Sequence, residues 1–235
     1  MAVILKKQRV VLRFEETVLK TETYGTAESD ELSLSVYSGD LVLIRLARSE
    51  QTSTFADTCA GIIEPSSGGV YFLGRNWPEL PPDQANAMRG RIGRVFRTAN
   101  WMNHLSLMEN ILLPQRHHTR RSVRRLLDEA GGLAQQFGLP GVPLDLPGDI
   151  PAADLQRAAC VRAFLGRPAL IVLEEPTAGI YLEIISALMN AVREARERGA
   201  AVIWLTQKNL IWNDQTLPVS QRYRIVAGKL MEVTM

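Results

Sequence analysis

Leu170-Ile171-Val172-Leu173-Glu174-Glu175-Pro176-Thr177 sets four consecutive apolar residues against two carboxylates and a proline. An uninterrupted apolar run of this length reads as a strand buried on both faces, the form that strands take in parallel sheets. In open α/β sheets, ligands sit beyond the carboxyl ends of such strands, so the two acids fall where a site belongs. Leu41-Val42-Leu43-Ile44, entered through the turn Gly39-Asp40, and Ala201-Val202-Ile203-Trp204-Leu205 have the same character, and Ile92 to Phe96 reads as a further short strand. Ser53 to Gly61 reads as a helix closed by glycine, and a second helix follows Thr177 with apolar positions Leu182, Ile185, Leu188 and Val192. Strands alternating with helices predict an α/β protein whose largely parallel sheet is covered on both faces.

Two portions depart from that alternation. Val10 to Phe14, Leu32 to Val36 and Val70 to Leu73 are strand-like, with Pro65-Ser66-Ser67-Gly68-Gly69 as a loop before the last of them. They predict an antiparallel β portion near the N-terminus. From about 98 to 162 the pattern is helical, broken at Leu139 to Pro143 and at Pro147-Gly148. This reads as a helical insert within one unit spanning 1–235. Tyr223 to Val226, Ala227-Gly228 and Lys229 to Val233 form a closing strand-turn-strand.

The chain has 235 residues, enough to bury a sizeable core in a single large domain. Its 46% apolar and 22% charged content is that of a soluble globular protein. A net charge of +2 excludes a protein built mainly to hold nucleic acid, which needs a concentrated basic face. Cys59 and Cys160 lie far apart without zinc-site spacing and read as unpaired thiols in a reducing compartment. No apolar run approaches the roughly 20 residues that span a bilayer. Met1 to Leu5 precede Lys6-Lys7, the wrong order for a signal peptide. The expectation is a soluble, cytoplasmic chain that meets a membrane only through partners.

The order of these elements resembles the nucleotide-binding subunit of ATP-binding-cassette (ABC) transporters along nearly the whole chain. Ala60-Gly61-Ile62-Ile63-Glu64-Pro65-Ser66-Ser67-Gly68-Gly69-Val70 is similar to the segment after the family's P-loop helix. Ile92-Gly93-Arg94-Val95-Phe96-Arg97 is similar to the strand leading to its glutamine loop. Leu105-Ser106-Leu107-Met108-Glu109-Asn110-Ile111-Leu112-Leu113-Pro114 resembles the start of its helical subdomain, in the form familiar from lipoprotein-export, cell-division and phospholipid-transport systems. Arg162 to Pro168, followed by the acidic strand, resembles its approach to Walker B. The resemblance implies a P-loop NTPase-like core with the helical subdomain inserted at about 98–162. It implies ATP and Mg²⁺ as ligands, a transmembrane permease as partner, and a second cassette, identical or different, across a shared site. In a nucleotide hydrolase the first acid, Glu174, holds Mg²⁺ and the second, Glu175, orients the attacking water.

The residues that carry this chemistry agree far less well than the scaffold. The family's G-x-x-x-x-G-K-[ST] falls on Leu46-Ala47-Arg48-Ser49-Glu50-Gln51-Thr52-Ser53. Glycines let successive N–H groups wrap a phosphate and the lysine neutralises it. Here Leu46 and Gln51 replace both glycines, Thr52 replaces the lysine, and Glu50 adds a negative charge. Ser53 retains the magnesium-side hydroxyl, so the remaining nucleotide site comprises Thr52, Ser53, Thr54 and Glu174, with Ser53 and Glu174 at the Mg²⁺ position. The signature loop aligns with Ile150-Pro151-Ala152-Ala153-Asp154, where Pro151 removes a hydroxyl and an N–H and Asp154 brings an anion towards phosphate. Arg97 stands for the Q-loop glutamine, Tyr181 for the D-loop aspartate and Gln207 for the switch histidine; Glu175 alone matches the catalytic acid. Glu174 stands for the Walker B aspartate, its carboxylate one methylene further out, and with it six motifs depart in an intact scaffold, which points to a non-hydrolysing, structural or regulatory subunit. A working ATPase with unusual phosphate contacts and a module binding another ligand in the old cleft are the alternatives. The plainest reading of Glu174-Glu175 is then a carboxylate pair held by a nearby arginine or solvated at a strand end.

Arg116, Arg120, Arg121, Arg124 and Arg125 crowd a predicted helix whose apolar side is Val123, Leu126, Leu127 and Ala130. Such a run is a solvated helix face, or attracts anionic lipid headgroups if it lies beside a membrane. Trp101, Met102 and Leu105 follow the Q-loop position, where family members grip the permease, and either anchor that partner or cap the subdomain core. The resemblance places the chain in the cytoplasm, peripheral on the inner face of the cell membrane.

Overall fold

The computed structural model describes residues 9–20, 31–46, 49–98, 100–226 and 229–233. In chain order the elements are β1 (Val10–Val18), β2 (Leu32–Tyr37), β3 (Leu41–Leu46), α1 (Ser49–Cys59), β4 (Ser67–Phe72), β5 (Arg75–Asn76), α2 (Pro82–Arg89), β6 (Ile92–Val95), α3 (Leu107–His118), α4 (Val123–Gln136), α5 (Ala152–Phe164), β7 (Leu170–Glu174), α6 (Tyr181–Glu197), β8 (Ala201–Leu205), α7 (Asn209–Trp212), β9 (Gln221–Val226) and β10 (Lys229–Glu232). The main sheet has the order β10-β9-β3-β8-β7-β6. Every neighbouring pair in it is parallel except β9 and β10. A smaller antiparallel sheet has the order β2-β1-β4-β5.

The apolar runs are continuous because each central strand supplies two cores. Leu41, Leu43, Ile171, Leu173, Val202 and Trp204 face the layer of α3 to α6. Their alternates Val42, Ile44, Leu170, Val172, Ala201 and Ile203 face α1 and the antiparallel sheet. Glu174 keeps the parity of Leu170 and Val172, and Arg94 that of Ile92, so both are directed to the α1 side of the sheet. This parity puts a carboxylate and a guanidinium in the same layer.

Three local expectations are corrected. Ser67-Gly68-Gly69 is not loop but the start of β4, paired with β1. A Cβ on Gly68, whose φ is +76°, would lie 2.1 Å from the Glu16 carbonyl oxygen, so the close pairing requires glycine. The arginine-rich helix is in fact two. Arg116 ends α3, while Ser122 caps α4 by accepting from the Arg125 N–H, so Arg120 and Arg121 fall in the connection. Leu126 and Ala130 are buried as expected, but Val123 is exposed in the first turn of α4. On α6 the buried stripe is Ile184, Leu188, Ala191, Val192 and Ala195, while Leu182 is 88% exposed. Leu188 and Val192 are buried as expected, whereas Leu182, six residues before Leu188, points about 120° away from the buried stripe at about 100° per residue.

The capping box at α3 is complete: Ser106 Oγ accepts from the Glu109 N–H and the Glu109 carboxylate accepts from the Ser106 N–H. The Ser106 hydroxyl also donates to the Glu109 carboxylate at 2.8 Å, and that bond first, then the Ser106 N–H, holds the Glu109 carboxyl below its ordinary range. Both cysteines are free and buried, Cys59 in α1 and Cys160 in α5. Burial pushes the Cys160 thiol up to about 12 and raises Cys59 as well. Ellman's reagent is therefore expected to label neither thiol in the folded protein and both in denaturant. Prompt labelling of either in native buffer would contradict this packing.

Candidate functional site

At the carboxyl end of β7 the Glu174 carboxylate is 1% exposed. Its Oε1 accepts from Arg94 Nε at 2.6 Å and its Oε2 accepts from the Ser53 hydroxyl at 3.0 Å. Arg94 Nη1 also pairs with Asp57 Oδ1. Ser53 and Asp57 are one turn apart on α1 and so share the helix face turned to the strand ends. The Arg94 guanidinium lies over the Phe96 ring, 4.4 Å from its centroid. Burial works against the Arg94 charge, but Glu174 and then Asp57 outweigh it and hold the guanidinium above its ordinary pKa. A guanidinium in this position is a permanent cation in a nearly dry pocket.

The second acid is held differently. Glu175 has φ +46°, a left-handed conformation that a non-glycine residue keeps only when its surroundings fix it. Its N–H donates to the Leu205 carbonyl at 3.1 Å, and its carboxylate accepts from the Thr206 hydroxyl at 3.0 Å and from the Gln207 N–H. The residues after β8 thus bind the Glu175 side chain to their own backbone. The Gln207 side chain is exposed. Thr52 is buried and Thr54 half-buried, its carbonyl accepting from Thr58.

The phosphate loop expected over 46–53 is only partly described, since Ala47 and Arg48 lie outside the described residues. Leu46 is buried in β3, and α1 begins at Ser49, so positions 49–51 are helical rather than part of an open loop. Pro151 is the N-cap residue of α5 and offers no side-chain cap. The Asp154 carboxylate, expected to face phosphate as a free anion, is instead paired with Arg157 at 2.6 Å, and Arg157 also binds Glu183 at 2.5 Å. Tyr181 donates to Asp214 at 3.4 Å.

Arg97 is exposed, two residues beyond the end of β6. In the loop that follows, Asn110 binds the backbone of Met102, Leu105 and Ser106, so one buried amide shapes the turn. Trp101 is half-buried against the helical core, with Arg162 4.1 Å over its ring and 5.3 Å over that of Phe96. Burial lowers Arg162 to about 10, which leaves it charged at neutral pH. Leu105 is half-buried and Met102 exposed.

Sequence reasoning did not single out Arg94 or Asp57. The signal for the first was a charged residue inside Ile92-Gly93-Arg94-Val95, a strand otherwise suited to full burial. The signal for the second was its position four residues after Ser53.

The side chains that the resemblance assigns to Mg²⁺ already have protein partners in this structure. Both Glu174 oxygens and the Ser53 hydroxyl are committed to protein partners, and a cation already faces the carboxylates. Hard divalent ions need several free oxygen donors. Among the described residues no group of three His, Cys, Asp or Glu is placed to hold a metal ion.

A parallel sheet whose acidic strand end meets the first helix after β3 defines the class: an α/β cassette of the P-loop NTPase type. The ABC transporter family profile matches residues 30–178, and the chain belongs to the ABC transporter family. The octopine permease ATP-binding protein P of Rhizobium meliloti is 26% identical over 188 residues, covering 75% of this chain and 71% of that protein. A bacterial ABC transporter cassette solved as a dimer superposes with TM-score 0.82 at 20% identity, over 93% of this chain and 96% of that one. A dimeric cassette in a post-hydrolysis state with ADP and phosphate gives TM-score 0.80 at 21% identity, over 94% and 97%. These structures share the cassette fold with this chain. Among the described residues no helix is long and apolar enough to cross a membrane.

Proposed function

We propose that this chain is a non-hydrolysing cassette subunit, a scaffold or regulator within an ABC transport complex. The observation that carries this reading is the saturation of Glu174 by Arg94 and Ser53, in a chain whose phosphate loop has neither glycines nor lysine. The oxygens assigned to Mg²⁺ are engaged by protein partners there, and Glu175, the remaining acid, is tied to Thr206 and Gln207. In this reading the chain docks on a transmembrane permease through the loop carrying Trp101, Met102 and Leu105. Met102 offers exposed apolar bulk, and Asn110 fixes the loop that presents it. It pairs with a second cassette, another copy or a different subunit, and lies on the cytoplasmic face of the membrane. The exposed Arg116, Arg120, Arg124 and Arg125 give that assembly a cationic surface suited to anionic headgroups.

Phosphate release and calorimetry on the purified chain test the central claim. The expected result is no Mg²⁺-dependent ATP turnover above the level of Glu175→Gln, and no tightening of ATP binding by that substitution. Mg²⁺-dependent hydrolysis abolished by Glu175→Gln would defeat the reading.

A further inference from the structure

We propose that Arg94 is the resident cation of this site, occupying the place of a divalent ion and masking a latent oxygen-donor site made by Ser53, Asp57 and Glu174. The proposal deepens the functional reading above and rests on it for the placement of the site. Three independent contacts fix the guanidinium: Nε on Glu174 at 2.6 Å, Nη1 on Asp57, and its face 4.4 Å from the Phe96 centroid. Its side chain is only 8% exposed, so these protein partners take the place of most of its solvent. The donors it covers are two carboxylates and a hydroxyl, hard oxygens of the kind that suit Mg²⁺ or Mn²⁺. Ser53 and Asp57 are one turn apart on α1, the Ser53 hydroxyl already meets Glu174 at 3.0 Å, and the one guanidinium of Arg94 touches both carboxylates. One positive charge faces two negative ones, so removing the arginine leaves a doubly anionic pocket with a demand for a cation. The consequence is that α1, β6 and β7 are held together without any metal or nucleotide. Where a divalent ion would make that junction depend on a ligand, Arg94 makes it constant.

Mn²⁺ binding followed by electron paramagnetic resonance, in the absence of nucleotide, tests this. The wild type is expected to bind no Mn²⁺ that Glu174→Gln removes. Arg94→Met is expected to bind Mn²⁺ at least about tenfold more tightly than the wild type, as added carboxylate charge tightens hard-cation sites. Adding Glu174→Gln to Arg94→Met should abolish the gain. Equal Mn²⁺ binding by wild type and variant, or a gain that survives Glu174→Gln, would overturn the proposal. Should Arg94→Met fail to fold, Arg94→Gln gives Glu174 a neutral polar partner and thermal denaturation replaces the binding measurement. Mn²⁺ should then raise the Tm of Arg94→Gln and leave that of the wild type unchanged, and an equal response of the two overturns the claim. ATP turnover by the wild type bears on the functional reading, whereas the Mn²⁺ difference bears on Arg94 alone.

Discussion

Arg94→Met, assayed in metal-free buffer, is expected to lower the free energy of unfolding by about 3–5 kcal/mol, the usual cost of removing one partner from a buried ion pair. The loss arises from what remains rather than from what is removed. Glu174 is 1% exposed, and without Arg94 only the Ser53 hydroxyl addresses its carboxylate. Methionine offers that carboxylate neither a donor nor a charge, so in metal-free buffer the cost of burying the anion is no longer offset. The double variant Arg94→Met/Glu174→Met should regain most of the loss, because a well-packed apolar pair of similar volume has no desolvation penalty to offset. Urea denaturation of the wild type, both single variants and the double variant closes the cycle, and the coupling should be several times that of an exposed pair such as Arg193–Glu197. A double variant as unstable as Arg94→Met would show that the arginine acts by packing on Phe96 and not by charge.

Gly93→Ala is expected to cost about 3 kcal/mol, at the upper end for an overpacked core. A Cβ at this position would lie 1.8 Å from the Ala163 carbonyl oxygen and 2.9 Å from its carbon. Both belong to the backbone of α5, so no side chain can move aside. Either β6 or α5 must shift, and a shift of β6 carries Arg94 away from Glu174. The contrast is Gly132 in the interior of α4, where a Cβ meets nothing within 4 Å. Gly132→Ala should stabilise by about 0.5–1 kcal/mol through the better helix propensity of alanine. Thermal melts of the two variants test the difference in sign; similar destabilisation of both would mean that the β6–α5 contact is looser than the fold implies.

Much of the fold was legible because burial on two faces leaves a simple signature. Leu41 to Ile44, Leu170 to Leu173 and Ala201 to Leu205 are apolar without alternation, and each became a central strand. The amphipathic elements were less legible. Leu182 and Val123 are apolar residues on amphipathic helices that emerge exposed, because a helix buries only the stripe that packs on its neighbours. Gly68-Gly69 resembled a loop because glycine is common in turns, whereas here its missing side chain admits β1. Of the site, the acidic pair could be read directly; an arginine partner for the pair was one of two readings left open, and it holds for Glu174 but not for Glu175, which Thr206 and Gln207 bind.

The sequence by itself determined the strand runs and the family, and it places neither glycine nor lysine over 46–53. Each of these is a local property, a run or a spacing within a few residues. Only the tertiary structure decided what became of Glu174. Arg94 lies 80 residues from it and Ser53 lies 121, and no periodicity links them. Parallel pairing of β6 with β7 aligns Arg94 with Val172, and strand parity turns Arg94 and Glu174 to the same face, where α1 brings Ser53 and Asp57. The same acidic strand that marks a nucleotide site in the sequence therefore ends, in the fold, on an arginine.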